Sequence, residues 1–246
     1  MTARLEQSGR VAVITLDRPD RRNAVDHETL LRLIDIQQAL RGGDDGGTRV
    51  VVLTGAPPAF SAGADLNGVD GDEFGSDLSK VLRGFGDLAV PVIAAIDGPA
   101  LGAGAQLAIA ADLRVATPES VIGVPAAKLG LVVDPWTVNR LAAEFSPPVA
   151  RAMLLAAETY TGAQLHEFGG IHRLGKLDVA LDWATQLSQL APLTIAGHKL
   201  ALEHRVPQPL ADDLVEAARI AAWASGDAVE GRTAFLEKRA ANFRGV

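Results

Sequence analysis

A strand, a glycine-bearing turn and a helix of small residues follow one another between Ala94 and Asp112, and this run constrains the fold more than any other. Gly98, Gly102 and Gly104 allow the backbone to approach a neighbouring group closely. The turn also leaves free N–H groups at the start of a helix, where the helix dipole favours negative charge. The run therefore predicts a backbone site for an oxyanion.

The composition indicates a globular protein with one large core. The chain has 246 residues, 48% of them hydrophobic, and a net charge of -7. Non-specific nucleic-acid binding needs a surplus of Lys and Arg, so this balance argues against a nucleic-acid partner. The absence of Cys excludes disulfides, thiolate metal sites and a Cys nucleophile. It also fits a cytoplasmic protein, which is the location we expect.

Three further classes are disfavoured by the sequence. The N-terminus lacks the apolar core of a signal peptide. The apolar stretch from Ala89 to Ala111 is interrupted by Pro91, Pro99 and glycines, so we interpret it as protein core and expect no membrane span. The five His residues lack zinc-type spacing, and the Gly102 region lacks the third glycine of a dinucleotide fingerprint. We therefore expect no metal site and reject a dinucleotide-binding fold.

Hydrophobic periodicity predicts most of the elements. The predicted strands cover 11–16, 49–55 and 112–116; a helix capped by Asp26 runs to Gly42, and further helices cover 147–155, 161–168, 178–190, 194–204 and 210–224. Residues 67–76 are rich in Asp and Gly, and we expect a mobile loop there.

Four motifs occur in a fixed order along the chain. They are Arg18-Pro19 followed by Asn23-Ala24, the run Phe-Ser-Ala-Gly-Ala-Asp-Leu at 60–66, the central run with Gly98, Ala100, Gly102, Gly104, Leu107 and Asp112 in register, and the tail motif at 227–239. Together they resemble the crotonase superfamily, also called the enoyl-CoA hydratase/isomerase family. The resemblance extends from Val11 to Gly245 and so covers nearly the whole chain.

The resemblance implies an α/β fold of the crotonase type, a ββα superhelix with a C-terminal helical trimerisation region. It implies a core over residues 1–190 and a helical tail over 191–246 that packs on the core and on neighbouring subunits. Family members are trimers or dimers of trimers, so we expect a homotrimer or a dimer of trimers here.

The resemblance also implies a site for a coenzyme A thioester, with no tightly bound cofactor. Its oxyanion-hole donors would be the N–H groups of Ala64 and Ala103, the second of which is usually a glycine in the family. The coenzyme A contacts carried over from the motifs are Arg22, Asn23, Ala24, Ala62, Ala64, Asp65 and Leu66, with Lys238 from the tail assisting at the phosphates.

The positions of the family's two catalytic glutamates are occupied by Gln106 and Ala126. Neither residue can transfer a proton, so efficient hydration of an enoyl thioester is not expected. Trp136 replaces a small family residue and should fill or reshape the acyl pocket; a core tryptophan without ligand contact explains it equally well.

Two functions remain open. The first is an acyl-CoA binder or carrier in lipid metabolism, similar to the family subset that lacks both glutamates, with partner proteins from a lipid pathway. The second is an enoyl-CoA or dienoyl-CoA isomerase that uses Asp134, which aligns with a catalytic aspartate of the dienoyl-CoA isomerase branch. Asp134-Pro135 is also a good helix start, and we favour that structural role.

Overall fold

The computed structural model of the chain describes residues 2–41, 47–65, 71–205, 220–221 and 223–242. Its strands are β1 (Ala3–Ser8), β2 (Val11–Leu16), β3 (Val50–Gly55), β4 (Val92–Ile96), β5 (Ala100–Leu101), β6 (Leu113–Ala116), β7 (Val121–Gly123), β8 (Thr159–Thr161) and β9 (Arg173–Leu174). Its helices are α1 (His27–Arg41), α2 (Gly71–Gly86), α3 (Ala103–Ala110), α4 (Pro135–Phe145), α5 (Pro147–Leu155), α6 (Gly162–Glu167), α7 (Leu177–Leu187), α8 (Pro192–Arg205) and α9 (Gly226–Leu236). Short 3-10 turns lie at Pro19–Arg21 and Ala126–Leu129.

The strands form two sheets. The larger has six strands in the order β1-β2-β3-β4-β6-β9, in which β1 is antiparallel to β2 and the other pairs are parallel. The smaller has three strands in the order β5-β7-β8. The chain thus passes from the large sheet at β4 to the small sheet at β5 within the central glycine-bearing run.

Both faces of the large sheet are covered, as the continuous apolar run of β3 predicts. Val51 and Leu53 face the main core, which includes buried residues of α1, α2 and α3. Val50 and Val52 face a second core, where Ala180 and Ala184 of α7 pack against them. The alternation follows from the two-residue period of a strand.

Most predicted elements are confirmed, including the Asp26 cap, whose Oδ1 accepts a hydrogen bond from the Thr29 N–H at 2.8 Å. The predicted loop at 67–76 is wrong over 71–76, where α2 begins, while residues 67–70 lie outside the described residues. The helix forms because its apolar side chains recur at helical spacing and pack against α1 and α3: Phe74, Leu78, Val81, Leu82 and Phe85. The predicted helix at 210–224 lies mainly outside the described residues.

The described part of the tail packs on the core at several places. Lys199 of α8 donates hydrogen bonds to the carbonyl oxygens of Phe85 and Val90 at 2.8 and 3.0 Å. Helix α9 lies against the 3-10 turn 126–129; a Cβ atom on Gly231 would lie 2.4 Å from the Leu129 backbone. No helix among the described residues is long and apolar enough to cross a membrane. Contacts of the tail with neighbouring subunits stay a prediction.

Candidate functional site

The second and third motifs meet through backbone hydrogen bonds. Ser61 and Ala100 form an isolated parallel bridge, in which the Ser61 N–H donates to Pro99 O and the Leu101 N–H donates to Ser61 O, both at 3.0 Å. Glycine is required at position 104 because a Cβ there would lie 2.4 Å from the Ser61 carbonyl oxygen. The spacing of glycines in the sequence therefore reflects close contact between the two loops.

At this junction the backbone N–H groups of Ala64 and Ala103 donate no hydrogen bond to any described residue, and neither do those of Gly104 and Ala105 in the first turn of α3. Ala64 pairs with Val25 in an isolated parallel bridge, and the hydrogen bonds of this bridge are made by the residues before and after Ala64. The Ala64 N–H therefore points away from Val25. Ala103 is the first residue of α3, so its N–H has no helical partner. A Cβ on Gly63 would lie 3.8 Å from the Ala103 nitrogen, which places the two donor loops side by side.

The loop at 18–24 is held by Arg18, whose role the sequence reasoning missed. Its guanidinium donates to the Ala24 carbonyl at 2.5 Å and lies 2.9 and 3.0 Å from carboxylate oxygens of Asp65 and Asp26. These contacts join the first motif to the second. The Arg-Pro pair in the sequence was a signal for the loop, but only the fold shows which carboxylates the side chain reaches.

Asn23 supports the same loop from inside. Its side chain is buried, donates to the Ala56 and Ala59 carbonyls at 2.7 and 2.6 Å, and accepts from the Arg18 N–H at 3.0 Å. Its backbone carbonyl accepts from the Ser61 hydroxyl at 2.8 Å, so this hydroxyl also takes part in holding the loop. The Asn23 side chain is therefore fully used in shaping the loop.

The other predicted coenzyme A contacts divide into three kinds. Arg22 and Lys238 are exposed cations in left-handed backbone conformation (φ 50° and 55°), and neither forms an ion pair with another described residue. Ala24 and Ala62 are half-buried and exposed respectively, and the Ala62 N–H donates to the Arg22 carbonyl at 2.9 Å. Leu66 lies outside the described residues.

A hydrogen-bonded chain of side chains connects α3 to the start of α4. Gln106 Nε2 donates to Thr137 Oγ1 at 2.8 Å, and the Thr137 hydroxyl donates to Asp134 Oδ2 at 2.7 Å. Asp134 is the N-cap of α4, and its Oδ1 also accepts from the Thr137 N–H at 3.2 Å. Gln106 and Thr137 are buried, with exposed fractions of 5% and 0%. The structure thus brings together Gln106 and Asp134, two of the predicted site residues.

Ala126 and Trp136 lie in the segments that flank this chain. Ala126 is the first residue of the 3-10 turn 126–129, and its side chain is half-buried against the main core. Trp136, next to Thr137 in α4, is likewise half-buried against that core. Ala126 presents only a methyl group there. Among the described residues no three His, Cys, Asp or Glu side chains cluster in a way that could hold a metal ion.

The family model for enoyl-CoA hydratase/isomerase matches residues 6–246. The chain belongs to this family. It is 38% identical to a probable enoyl-CoA hydratase echA6 of Mycobacterium tuberculosis over 98% of this chain and 99% of that protein. It is 32% identical to the 2,3-dehydroadipyl-CoA hydratase of Escherichia coli over 96% of each.

Solved structures give the same assignment of the fold. An enoyl-CoA hydratase from Mycobacterium avium subsp. paratuberculosis superposes with a TM-score of 0.86 at 25% identity, covering 99% of both chains. A methylmalonyl-CoA decarboxylase superposes with a TM-score of 0.90 at 23% identity, over 100% of this chain and 99% of that one. The crotonase-type α/β fold predicted from the motifs is therefore confirmed.

Proposed function

We propose that this member of the enoyl-CoA hydratase/isomerase family binds fatty acyl-CoA or enoyl-CoA thioesters, with little hydratase activity. The observation that carries the proposal is the pair of unused donors at Ala64 and Ala103 beside an amide at Gln106 rather than a carboxylate. The similarity to the 2,3-dehydroadipyl-CoA hydratase of Escherichia coli supports a coenzyme A thioester as the ligand.

The chemistry separates binding from turnover. Two N–H donors suffice to polarise a thioester carbonyl, and in enzymes such donors are worth about 10²–10³-fold in rate. Hydration also needs a base for the attacking water and an acid for the α carbon, each worth about 10²–10⁴-fold. The Gln106 amide and the Ala126 methyl supply neither, so the proposed site binds the thioester and turns it over poorly.

Local cations make an anionic ligand compatible with an acidic protein. Arg22 and Lys238 are exposed and have no ion-pair partner among the described residues, so their charges are free for the phosphates of coenzyme A. Arg18 acts differently, because its guanidinium is engaged with Asp26 and Asp65. In this proposal Ala24, Ala62, Asp65 and Leu66 complete the binding loops, Asn23 shapes them, and Trp136 borders the acyl chain.

The proposal also covers the oligomeric state, the cellular location and the protein partners. The described part of the tail carries exposed apolar side chains that a neighbouring subunit would cover: Leu193, Leu200, Leu202, Val229, Phe235 and Leu236. They support a homotrimer or a dimer of trimers. The absence of Cys supports a cytoplasmic location, and a carrier role implies protein partners from a lipid pathway.

The second candidate function is an enoyl-CoA or dienoyl-CoA isomerase that uses Asp134. It is favoured by one observation: a half-buried carboxylate lies at the end of the chain that begins at Gln106. Against it, both Asp134 oxygens accept hydrogen bonds from Thr137 as a helix cap. Asp134→Asn preserves much of the cap, so loss of turnover on a 3,5-dienoyl thioester in that variant, with an unchanged melting temperature, would favour the isomerase.

The binding proposal is tested by removing the two free cations. We expect the Arg22→Ala and Lys238→Ala double variant to bind long-chain acyl-CoA about tenfold or more weakly at low salt, because charge-assisted contacts to phosphate are lost. Calorimetric titration measures the affinity. Arg21→Ala is the matched control, since Arg21 is also exposed and adjacent in the loop. Equal affinities in the wild-type and double-variant proteins would refute the assignment.

A further inference from the structure

The direction of the Ala64 N–H group is set by the pairing of its segment with Val25. The Val25 N–H donates to the Gly63 carbonyl oxygen at 2.7 Å, and the Asp65 N–H donates to the Val25 carbonyl oxygen at 2.8 Å. The Gly63–Ala64 peptide bond is trans, so its C=O and N–H groups point in opposite directions. Because the Gly63 oxygen points at Val25, the Ala64 N–H points away from it. The donor keeps this direction only while the two segments stay paired.

The guanidinium of Arg18 holds these two segments together. It donates to the carbonyl oxygen of Ala24, the residue before Val25, at 2.5 Å. One guanidinium nitrogen, Nη2, lies 3.0 Å from Asp26 Oδ2 and 2.9 Å from Asp65 Oδ2. It therefore joins the residue after Val25 to the residue that follows the proposed donor. The three charged side chains are each less than one-third exposed, so water screens these ion pairs less than it screens pairs at the open surface.

Removal of the guanidinium would leave two carboxylates close together. Asp26 Oδ2 and Asp65 Oδ2 both lie within hydrogen-bond distance of the same Arg18 nitrogen, so without it two negative charges face each other where the segments pair. Asp26 is still anchored, because its Oδ1 accepts from the Thr29 N–H at 2.8 Å as the cap of α1. We therefore expect the repulsion to displace the segment that carries the Ala64 N–H while α1 stays in place.

The second proposed donor is held by contacts that do not involve Arg18. In the turn before Ala103, the Gly102 N–H donates to the Gly123 carbonyl oxygen at 2.9 Å. A Cβ on Gly102 would lie 3.9 Å from the Cα atom of Gly63, so this turn lies beside the segment of the first donor. Arg18 therefore acts on one of the two donors, and its loss would change the position of that donor relative to the other.

We propose that Arg18 is a positioning residue for thioester binding, which acts through the Ala64 N–H and does not touch the ligand. The inference rests on the proposed function, because it takes the N–H groups of Ala64 and Ala103 as the donors to the thioester carbonyl oxygen. The Arg18 guanidinium is engaged with three oxygen atoms of the protein itself. Its contribution is therefore specific to recognition of the carbonyl group, and other residues make the contacts with the rest of coenzyme A.

The test compares a ligand that has the carbonyl group with one that lacks it. Wild-type and Arg18→Gln proteins are titrated calorimetrically with hexadecanoyl-CoA and with the thioether S-hexadecyl-CoA. We expect the wild type to bind the thioester about three- to tenfold more tightly than the thioether, the range for one net hydrogen bond, and this ratio to fall to near one in Arg18→Gln. A ratio unchanged in folded Arg18→Gln, or near one in the wild type, would overturn the inference. Binding of neither ligand by the wild type would instead contradict the proposed function.

Arg41→Gln is the matched control for a general loss of stability. Arg41 has partners of the same kinds, the Gly84 carbonyl at 3.1 Å and Asp87 Oδ2 at 2.9 Å, but it joins α1 to the end of α2. Its ratio should equal that of the wild type, and a fall as large as in Arg18→Gln would overturn the inference. Arg18→Lys keeps one charge between the carboxylates with fewer contacts, so its ratio should be intermediate. It is the test if Arg18→Gln does not fold, and a wild-type ratio in it would then overturn the inference.

Discussion

At the residue scale, the surroundings of His172 favour the neutral form of its imidazole. Its Nδ1 accepts from the Arg114 backbone N–H at 3.2 Å, which a proton on Nδ1 would prevent. Desolvation of the imidazole and the positive charge of Arg114 lower the pKa of His172 to about 4, although part of the ring stays exposed. The unfolded chain binds the proton more readily, so His172 contributes stability near neutral pH that is lost as the pH falls from about 6.5 to about 4.

We therefore expect His172→Asn to reduce the loss of stability between pH 6.5 and pH 4, because the Asn carbonyl can accept the same bond and cannot be protonated. Denaturant unfolding at a series of pH values measures the effect. His198→Asn is the control, since His198 is exposed on α8. Identical pH profiles for wild type and His172→Asn would contradict this account.

Residues of the candidate site could be proposed from the sequence where the reason for choosing them is local. Gln106, Ala126 and the donors Ala64 and Ala103 follow from position within a motif, and Asp134 could be recognised as a cap from Asp-Pro. Thr137 could not, because its importance arises from contacts with residues 3 and 31 positions away in the chain. A buried Thr between two polar neighbours has no sequence signature.

At the element scale, the buried ammonium group of Lys199 binds helix α8 to the core. Lys199 Nζ lies 2.8 Å from Asp112 Oδ2 and also donates to two backbone carbonyls, and the Lys199 side chain is 5% exposed. Lys199→Met leaves these acceptors without the charge, and we expect a loss of about 3 kcal/mol in the free energy of unfolding. Lys176→Met is the control, because its pair with Asp97 is exposed and should be worth at most about 1 kcal/mol. Similar losses in both variants, by denaturant titration, would contradict this difference.

Helices and strands could be predicted where the apolar residues follow the helix period or the strand period along the whole element. Strand β3 and helix α5 satisfy that condition. Helix α2 was not predicted because its first turns contain Gly71 and Gly75, and glycine has a low helix propensity. The helical spacing of its apolar residues can nevertheless be read from the sequence: Phe74, Leu78, Leu82 and Phe85. Strand β1 was missed because it is a sheet edge with mainly exposed polar residues, so its pairing with β2 leaves little apolar signal.

At the scale of the whole molecule, the assembly is open to direct measurement. The exposed apolar side chains of α8 and α9 would lie in water in a monomer. We expect sedimentation velocity at micromolar concentration to show a trimer or a dimer of trimers. Leu200→Glu, on an exposed position of α8, should weaken assembly more than Gln189→Glu, on an exposed polar position. A stable wild-type monomer would contradict the proposed assembly.

In the proposed function the molecule keeps a thioester-binding site without the proton transfers of hydration. The most direct measurement is the rate of crotonyl-CoA hydration by wild-type protein beside Gln106→Glu combined with Ala126→Glu, with long-chain acyl-CoA affinity measured on the same preparations. We expect tight binding by the wild type with hydration undetectable or orders of magnitude below that of a glutamate-bearing relative, and some hydration in the double variant. Rapid hydration by the wild-type protein would contradict the account.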